Sequence, residues 1–526
     1  MRMNHNSSTS NSNNNDLPEG WNRACLPDIA NINMGQSPPG STYNEIGEGL
    51  PFFQGKADFG PRFPTVRVWC TEPKKLADEG DVLISIRAPV GPTNVANCQC
   101  VIGRGLAGLK PLGEIPTELL LHALRLQEPE LSKTGTGSTF TAINKKDLEQ
   151  IEINIPPLAE QKRIVAKVEE LLGHVNAARG RLSKVPALLK RFRQAVLANA
   201  CAGKLTEDWR ENNQNIESVG VLYERINQRR QKEYEAVCRK AKKNKKRPPR
   251  EPVYLKEYVA DDDSLPDIPE EWNWSKVCYL GLYGDEAVKT GPFGAILKSR
   301  EFVSEGVPII AVGNVQWGYF DLEGARVDHV TEEKAEELSS YLVRTGDVLF
   351  TRSGSIGRSM VVPNIADGWL MSYHLLRVRA DQNLINPEYL YFVFSGCEAS
   401  KEYIAESIVG TTRPGFNTKI LENLPVPLPP LEEQKEIVRR VEELFKWADA
   451  IEKRLAAATR RAEKLTQSIL AKAFRGELVP TEADLARIEN RSYEPASELL
   501  NRIQSERKKE KLPSKSNKSK KRKKSS

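Results

Sequence analysis

Pro156-Pro157-Leu158-Ala159-Glu160-Gln161-Lys162-Arg163-Ile164-Val165 returns 273 residues later as Pro429-Pro430-Leu431-Glu432-Glu433-Gln434-Lys435-Glu436-Ile437-Val438. In the same register Val168-Glu169-Glu170-Leu171 recurs as Val441-Glu442-Glu443-Leu444, and Gly203-Lys204-Leu205 as Gly476-Glu477-Leu478. Solenoid units run to ~20–50 residues, so a period this long marks a duplicated domain pair. Such a chain is expected to present two similar surfaces in pseudo-twofold fashion. That favours a function needing two related but non-identical readers.

Each double proline predicts a helix start. Proline is tolerated in the first turn, and Glu160 or Glu433 sits where an acid complements the helix N-terminus. The apolar positions then step by four and three without a break: Ile164, Val168, Leu171, Val175, Ala178, Leu182, Val185, Leu189, Phe192, Val196. The second copy keeps register through Ile437, Val441, Leu444, Ala448, Ile451, Leu455, Ala458, Ala462, Leu465 and Ile469. Seams this long predict a coiled coil, with Gly203 and Gly476 as C-terminal stops. Each helix is expected to be a rod of roughly 60 Å. Pro186 removes a backbone hydrogen bond and predicts a kink near Val185. An antiparallel pair, one helix per copy, is expected to hold two variable domains apart.

Working outward, Leu17-Pro18-Glu19-Gly20-Trp21 matches Ile268-Pro269-Glu270-Glu271-Trp272, and Gly80-Asp81-Val82-Leu83 matches Gly346-Asp347-Val348-Leu349. Between these landmarks the copies diverge, so the frame is shared and the inserts are not. The inserts carry short β-branched and aromatic runs between Gly/Pro turns, such as Val82-Leu83-Ile84-Ser85-Ile86 and Val348-Leu349-Phe350-Thr351, and read as strand-rich. The expected fold class is α+β, with two strand-rich recognition domains separated by two long antiparallel coiled-coil helices. The expected boundaries are a disordered start (1–16), recognition domain one (17–155), spacer helix one (156–205) and a partly helical basic linker (206–268). Recognition domain two (269–428), spacer helix two (429–478) and a basic disordered tail (479–526) follow. Linker and tail resemble each other weakly: Glu217, Leu222, Arg225, Ile226 and Arg230 match Glu494, Leu499, Arg502, Ile503 and Arg507.

The net charge of +7 over 526 residues is not a property of the folded body. Arg239–Arg250 contributes +8 and Arg507–Ser526 +10, leaving a mildly acidic remainder. Such basic runs bind phosphates through counterion release or are solvated tails without a partner. No apolar stretch reaches the ~18 residues of a membrane helix, and Met1–Asp16 lacks an apolar signal core, so a cytoplasmic protein is expected. The eight cysteines contain no CxxC pair and read as reduced, packed thiols.

Catalytic signatures are missing. Gly55-Lys56 is followed by Ala57 rather than Ser or Thr, which is no phosphate loop. The five histidines (His5, His122, His174, His329, His374) do not pair as a metal site. Asn386-Pro387-Glu388-Tyr389 has Glu where a base-flipping methyltransferase loop needs Pro, and reads as a helix-start turn. A non-catalytic scaffold with interchangeable recognition loops accounts for duplication, helices and divergent inserts together. A self-contained methyltransferase or nuclease, and a purely structural coiled coil, are the alternatives.

Several segments resemble the target-recognition domain of type I restriction–modification specificity subunits. They are Leu17–Trp21, Met34-Gly35-Gln36-Ser37-Pro38-Pro39-Gly40, Gly80–Gly91 and Ile102-Gly103-Arg104-Gly105, with Gly291-Pro292-Phe293-Gly294 and Gly410-Thr411-Thr412-Arg413 in the second copy. Pro-Pro-Leu-x-Glu-Gln-Lys-x-Ile-Val is similar to that family's start of its spacer helix. The resemblance implies a ruler without catalysis, in which each domain reads half of a split double-stranded DNA target. It also implies two modification (methyltransferase) subunits and two restriction (motor-nuclease) subunits as partners, and no membrane. No cofactor is expected in this chain; S-adenosylmethionine, ATP and magnesium are implied for the partner subunits. Arg87 and Arg352 lie at the same strand end in each copy, and arginine is the commonest bidentate reader of guanine as well as a phosphate ligand. Gln36, Ser37, Gln54, Lys56 and Arg104 in copy one, and Ser353, Ser355 and Arg413 in copy two, are polar loop residues with suitable donors. For each, an ordinary turn or surface role is the competing reading.

Overall fold

The structure is a computed structural model; it describes residues 17–134, 142–245, 247, 251–252, 254–256, 265–281, 287–292, 296–323, 326–352, 357–408 and 416–510. The expected disordered start, 1–16, lies outside them. In copy one the principal elements are β1 (Asn22–Cys25), β2 (Ala30–Met34), β3 (Leu50–Phe53), β4 (Val82–Ser85), β5 (Thr93–Val95), β6 (Cys100–Ile102), β7 (Leu106–Pro111), α1 (Thr117–Thr134) and β8 (Glu152–Ile155). Helices α2 (Leu158–Leu182), α3 (Val185–Cys201) and α4 (Val219–Lys243) follow. Copy two has β9 (Asn273–Lys276), β10 (Val288–Thr290), β11 (Val307–Ile310), β12 (Val348–Thr351), β13 (Ser359–Val361), β14 (Leu370–Met371), β15 (Leu375–Val378), α5 (Pro387–Gly396) and β16 (Pro425–Leu428). It ends in α6 (Leu431–Ala473), α7 (Glu482–Glu489) and α8 (Ala496–Glu510).

The duplication is kept in the strand order of one sheet. An antiparallel sheet β2-β7-β4-β5 in copy one matches β10-β15-β12-β13 in copy two. Ala107 of β7 faces both Met34 and Ile84, as Leu376 of β15 faces both Thr290 and Phe350. Both central strands, β4 and β12, are buried at all four positions, which is why each reads as an uninterrupted apolar run rather than an alternating one. A second sheet is built on a parallel pair in each copy, β3 with β6 and β11 with β14. It has five strands in copy one and three in copy two, and this is where the sequences diverge. Each domain closes by pairing its first strand with the last before the helix, Asn22 opposite Ile155 and Asn273 opposite Leu428.

The chain divides into two compact units that do not follow the sequence repeat. Unit 1 is Met1–Ser183 with Leu455–Ser526, and unit 2 is Lys184–Arg454. Each unit takes its recognition domain and first helical half from one copy and its remaining helices from the other. The unit 1 core joins Ile84, Leu119 and Val168 to Ile469, Ala473, Leu499 and Ile503. The unit 2 core joins Phe350, Tyr389 and Val441 to Leu197, Cys201, Leu222 and Ile226. The helices in unit 2 run antiparallel: Arg193 bonds Asp449 and Glu452, whereas the later Leu205 and Asp208 meet the earlier Arg440.

The repeated motifs meet at one junction in each unit. Trp21 Nε1 donates to Glu160 Oε1 (3.0 Å), and Glu160 Oε2 accepts the Glu482 amide (2.8 Å). Trp272 Nε1 donates to Glu433 Oε2 (2.8 Å), and Glu433 Oε1 accepts Thr206 Oγ1 (2.6 Å) and pairs with Arg210. The glutamine that follows turns back onto its own double proline, Gln161 to the Pro156 carbonyl and Gln434 to that of Pro429. Gly476, at φ +75°, lies against Pro18 and Trp21; Gly203, at φ +73°, lies against Pro269. A side chain there would be strained in the left-handed region and would meet the proline ring. Trp, Glu-Gln and Gly thus recur because they are parts of one joint.

Three expectations need correction. The first spacer helix is not one rod, though it breaks where the kink was expected: α2 ends at Leu182 and α3 begins at Val185, so Pro186 sits in the first turn of a new helix, where its missing N–H has no intrahelical partner to lose. The seam is not buried throughout, since Phe192, Ile451 and Leu465 are 38%, 44% and 51% exposed. Helix α3 packs on the recognition domain as well: a Cβ at Gly396 of α5 would collide with Leu197. Finally, the segment expected as a disordered tail is helical from Glu482 to Glu489 and from Ala496 to Glu510; residues 511–526 lie outside the described residues. Leu499, Leu500 and Ile503 form a stripe that is buried in unit 1, and Arg507 Nη1 caps the Pro27 carbonyl at 2.7 Å. Helix α4 does the same in unit 2, with Leu222 and Ile226 buried and Arg230 Nη2 donating to Gly281 O at 2.6 Å. Within the linker expected to be partly helical, α4 is therefore a core element.

Candidate nucleic-acid interface

Three backbone hydrogen bonds build the same platform in each unit. In unit 1, Gly35 N donates to Leu106 O (2.9 Å), Gly103 N to Phe53 O (2.8 Å) and Ile86 N to Gly105 O (2.9 Å). In unit 2, Gly291 N donates to Leu375 O (3.1 Å), Ser372 N to Ile310 O (3.0 Å) and Arg352 N to His374 O (3.0 Å). The turn leading into the central strand β7 or β15 is thereby pinned to three neighbouring strand ends. The first glycine of each set is needed for close approach. A Cβ at Gly35 or Gly291 would strike the carbonyl oxygen of Gly103 or Ser372.

This platform gathers the candidates of copy one. Gln36 N donates to Ile102 O (3.0 Å), Arg104 N donates to Ser37 Oγ (3.2 Å), and Gln54 directly follows Phe53, which holds Gly103. The loop after β3 is stiffened by Asp58, whose Oδ2 accepts the Gln54 amide (2.7 Å). Arg87 is the residue after Ile86 and bridges to Ala142. Gln36, Gln54, Lys56, Arg87 and Arg104 are exposed and Ser37 half-buried. Among the described residues no carboxylate lies within ion-pair distance of Lys56, Arg87 or Arg104, whereas Arg23, Arg62 and Lys110 are all paired. Three cations with no ion-paired carboxylate among the described residues, on a rigid turn cluster, offer donors to a polyanion.

Copy two differs. Arg352 takes the place of Ile86, as its bond to His374 O shows, and not that of Arg87; the sequence pairing of the two arginines is off by one residue. Its guanidinium is half-buried and donates to Thr290 Oγ1 at 3.0 Å. Ser353, Ser355 and Arg413 lie outside the described residues. The place of Arg104 is taken by Tyr373, which sequence reading missed, with His374 behind it; the ring centroids are 3.7 Å apart. Burial and the Arg352 charge hold the His374 imidazole below its ordinary range. The signal was the fixed step to Leu106 and Leu375, the first residues of β7 and β15.

Other features are structural. Asn386 caps α5, its Oδ1 accepting the Glu388 and Tyr389 amides, as the helix-start reading expected. The eight cysteines are free thiols. Among the described residues no group of three His, Cys, Asp or Glu side chains could hold a metal ion, and no helix is long and apolar enough to cross a membrane.

Comparison with known proteins agrees with this architecture. The family model of the type I restriction modification DNA specificity domain matches residues 18–185 and 294–459. The chain is 29% identical over 503 residues to the type I restriction enzyme EcoDI specificity subunit of Escherichia coli, covering 93% of this chain and 96% of that protein. It is 31% identical to the EcoKI specificity subunit of Escherichia coli strain K12, covering 78% and 76%. A chain solved in work on complex assembly and conformational transition of the type I R-M system shares the fold, with a TM-score of 0.60, 18% identity, and 88% and 99% covered. With two family domains on one duplicated frame, this chain belongs to the type I restriction–modification DNA specificity family.

Proposed function

We propose that the chain reads a split double-stranded DNA target, one half-sequence per recognition domain, while its spacer helices set the gap. It performs no catalytic step. Two modification subunits bring S-adenosylmethionine and methylate adenine, and two motor-nuclease subunits bring ATP and magnesium. The complex acts in the cytoplasm, where its DNA is. The observation that carries this reading is the platform: identical backbone bonds in both copies present different side chains, as two readers of different sequences require. Direct readout needs a side chain fixed against a base edge, while phosphate contacts only set register.

Mapping methylated adenines in cells that express the chain with modification subunits tests the proposal. The expected result is one two-part motif with a fixed gap. Inserting one heptad after Ala448 lengthens α6 by ~10 Å while keeping its apolar register. Both half-sequences should persist and the gap grow, or methylation be lost. A heptad insertion that altered bases within a half-site would refute the division between reader and spacer. Methyl transfer by the purified chain alone would refute its non-catalytic role.

A further inference from the structure

The turn pinned by the three platform bonds carries Gly103-Arg104-Gly105 in unit 1 and Ser372-Tyr373-His374 in unit 2. Frame and exposure are alike, since Arg104 is exposed and Tyr373 is 44% exposed, yet the side chains have different chemistry. Beside Tyr373 lies an open cleft of about 820 Å³, floored by Leu297, Phe302 and Ile309 and edged by Ser299, Asp328 and Tyr373 itself. That volume falls in the range of small-molecule clefts. Its lining is mixed, apolar with both signs of charge. Lys298 and Asp328 both line it, the Asp328 carboxylate paired with Arg326 at 2.8 Å, while Leu297, Phe302 and Ile309 add apolar surface and His374 is held toward its neutral form by burial and by Arg352. The exposed Tyr373 phenol offers both a donor and an acceptor, and its ring an apolar face, to a base edge.

We propose that this turn is the specificity-determining position of each recognition domain, with Tyr373, supported by His374 and Asp328, choosing bases in one half-site and Arg104 in the other. The proposal rests on the split-target reading and assigns it to residues. Arg104 is the guanine reader of unit 1, with no carboxylate in ion-pair distance among the described residues. Tyr373 reads through its hydroxyl and ring, and the platform beneath it removes the backbone freedom that would blur the choice.

The test maps methylated motifs for the chain expressed with modification subunits, comparing Tyr373→Ala, Tyr373→Arg and Arg104→Ala with the parent. Tyr373→Ala should relax preference roughly 10-fold or more at one or two base pairs of a single half-site, leaving the other half and the gap untouched. Arg104→Ala should do the same to the opposite half. Unchanged half-sequences in Tyr373→Ala would overturn the proposal. So would methylation reduced equally at all sites by a chain that melts like the parent, because that is the signature of a phosphate clamp. If the alanine variant loses its native melt, Tyr373→Arg decides on the same criteria, since it copies the residue that unit 1 carries there. A parent chain that gives no two-part motif would instead sink the split-target reading, a result distinct from any outcome in the variants.

Discussion

The two junctions where a spacer helix begins share a frame and differ in charge. In unit 1 the buried Glu160 receives only neutral donors, the Trp21 indole and the Glu482 amide. Burial pushes its carboxyl up, against those two bonds. In unit 2 the equivalent Glu433 receives an indole, a hydroxyl and the guanidinium of Arg210, which also lies over the Trp272 ring with its centroid 5.7 Å away. One turn later the sign reverses. Arg163 pairs with Glu482 at 2.7 Å in unit 1, while Glu436 in the same register binds Arg439 and Arg440 in unit 2. The buried strand ends repeat the lesson: Asp347 is matched by a two-pronged bond from Arg379, at 2.9 and 2.7 Å, whereas in copy one Lys110 instead pairs with Asp78 at the surface. Duplication has kept the geometry of the joints and let their electrostatics drift. A joint between segments tolerates any charge pattern that is balanced within it.

The largest effect should come from the material each unit takes from the other copy. Removing 496–526 strips Leu499, Leu500 and Ile503 from the unit 1 core. Unit 1 should then lose its cooperative transition in calorimetry while unit 2 keeps its own. Leu499→Ala alone should cost ~2–5 kcal/mol. If unit 1 melts unchanged after the truncation, α8 is peripheral and the exchange of segments is not what holds the unit.

Next come the junction acids. Glu433→Ala leaves Arg210 beside an apolar wall without its partner and should cost ~3–5 kcal/mol, as broken buried pairs do. Glu160→Ala leaves neutral donors unsatisfied and should cost ~1–3 kcal/mol. Urea unfolding of the two variants measures the difference, and equal losses would show that charge at the junction is immaterial.

The smallest effect concerns pH. Hydrogen bonds from Arg439, with Arg440 adding to them against the pull of burial, hold the Glu436 carboxyl down at about 2. A depressed acid stabilises the fold above its unfolded pKa of ~4.3, and that stability is lost as pH falls toward about 2. Glu436→Gln should therefore lower stability at neutral pH, where the ionised carboxylate contributes, and change it little as pH approaches about 2, so that the acid limb of the stability–pH curve flattens. Arg163→Gln, at the same place in unit 1, should change that limb through Glu482 instead. A Glu436→Gln curve parallel to the parent's would break the contrast.

What the sequence by itself determined are features written in local spacing. The double proline with glutamate fixes a helix start, and the four-three steps give the helices their apolar stripe. Glycine marks their ends, and the buried strands β4 and β12 show as continuous apolar runs. Segments of low polarity and regular period specify themselves because the backbone's own periodicity decides which side chains share a face. The partnership of segments was decided only in three dimensions. Because the copies are alike, Gly203 suits Pro18 or Pro269 equally well in sequence, and packing chose Pro269. The short stripe of Leu499, Leu500 and Ile503 was masked by eleven basic residues after it, since a brief apolar run gains its meaning only from the core that covers it. The reading turn was hidden for the same kind of reason. Arg104 and Tyr373 have no common residue type and share only a leucine two residues on, and what makes them equivalent is a set of backbone hydrogen bonds between residues 19 to 84 positions apart, a pattern that side-chain identity does not encode.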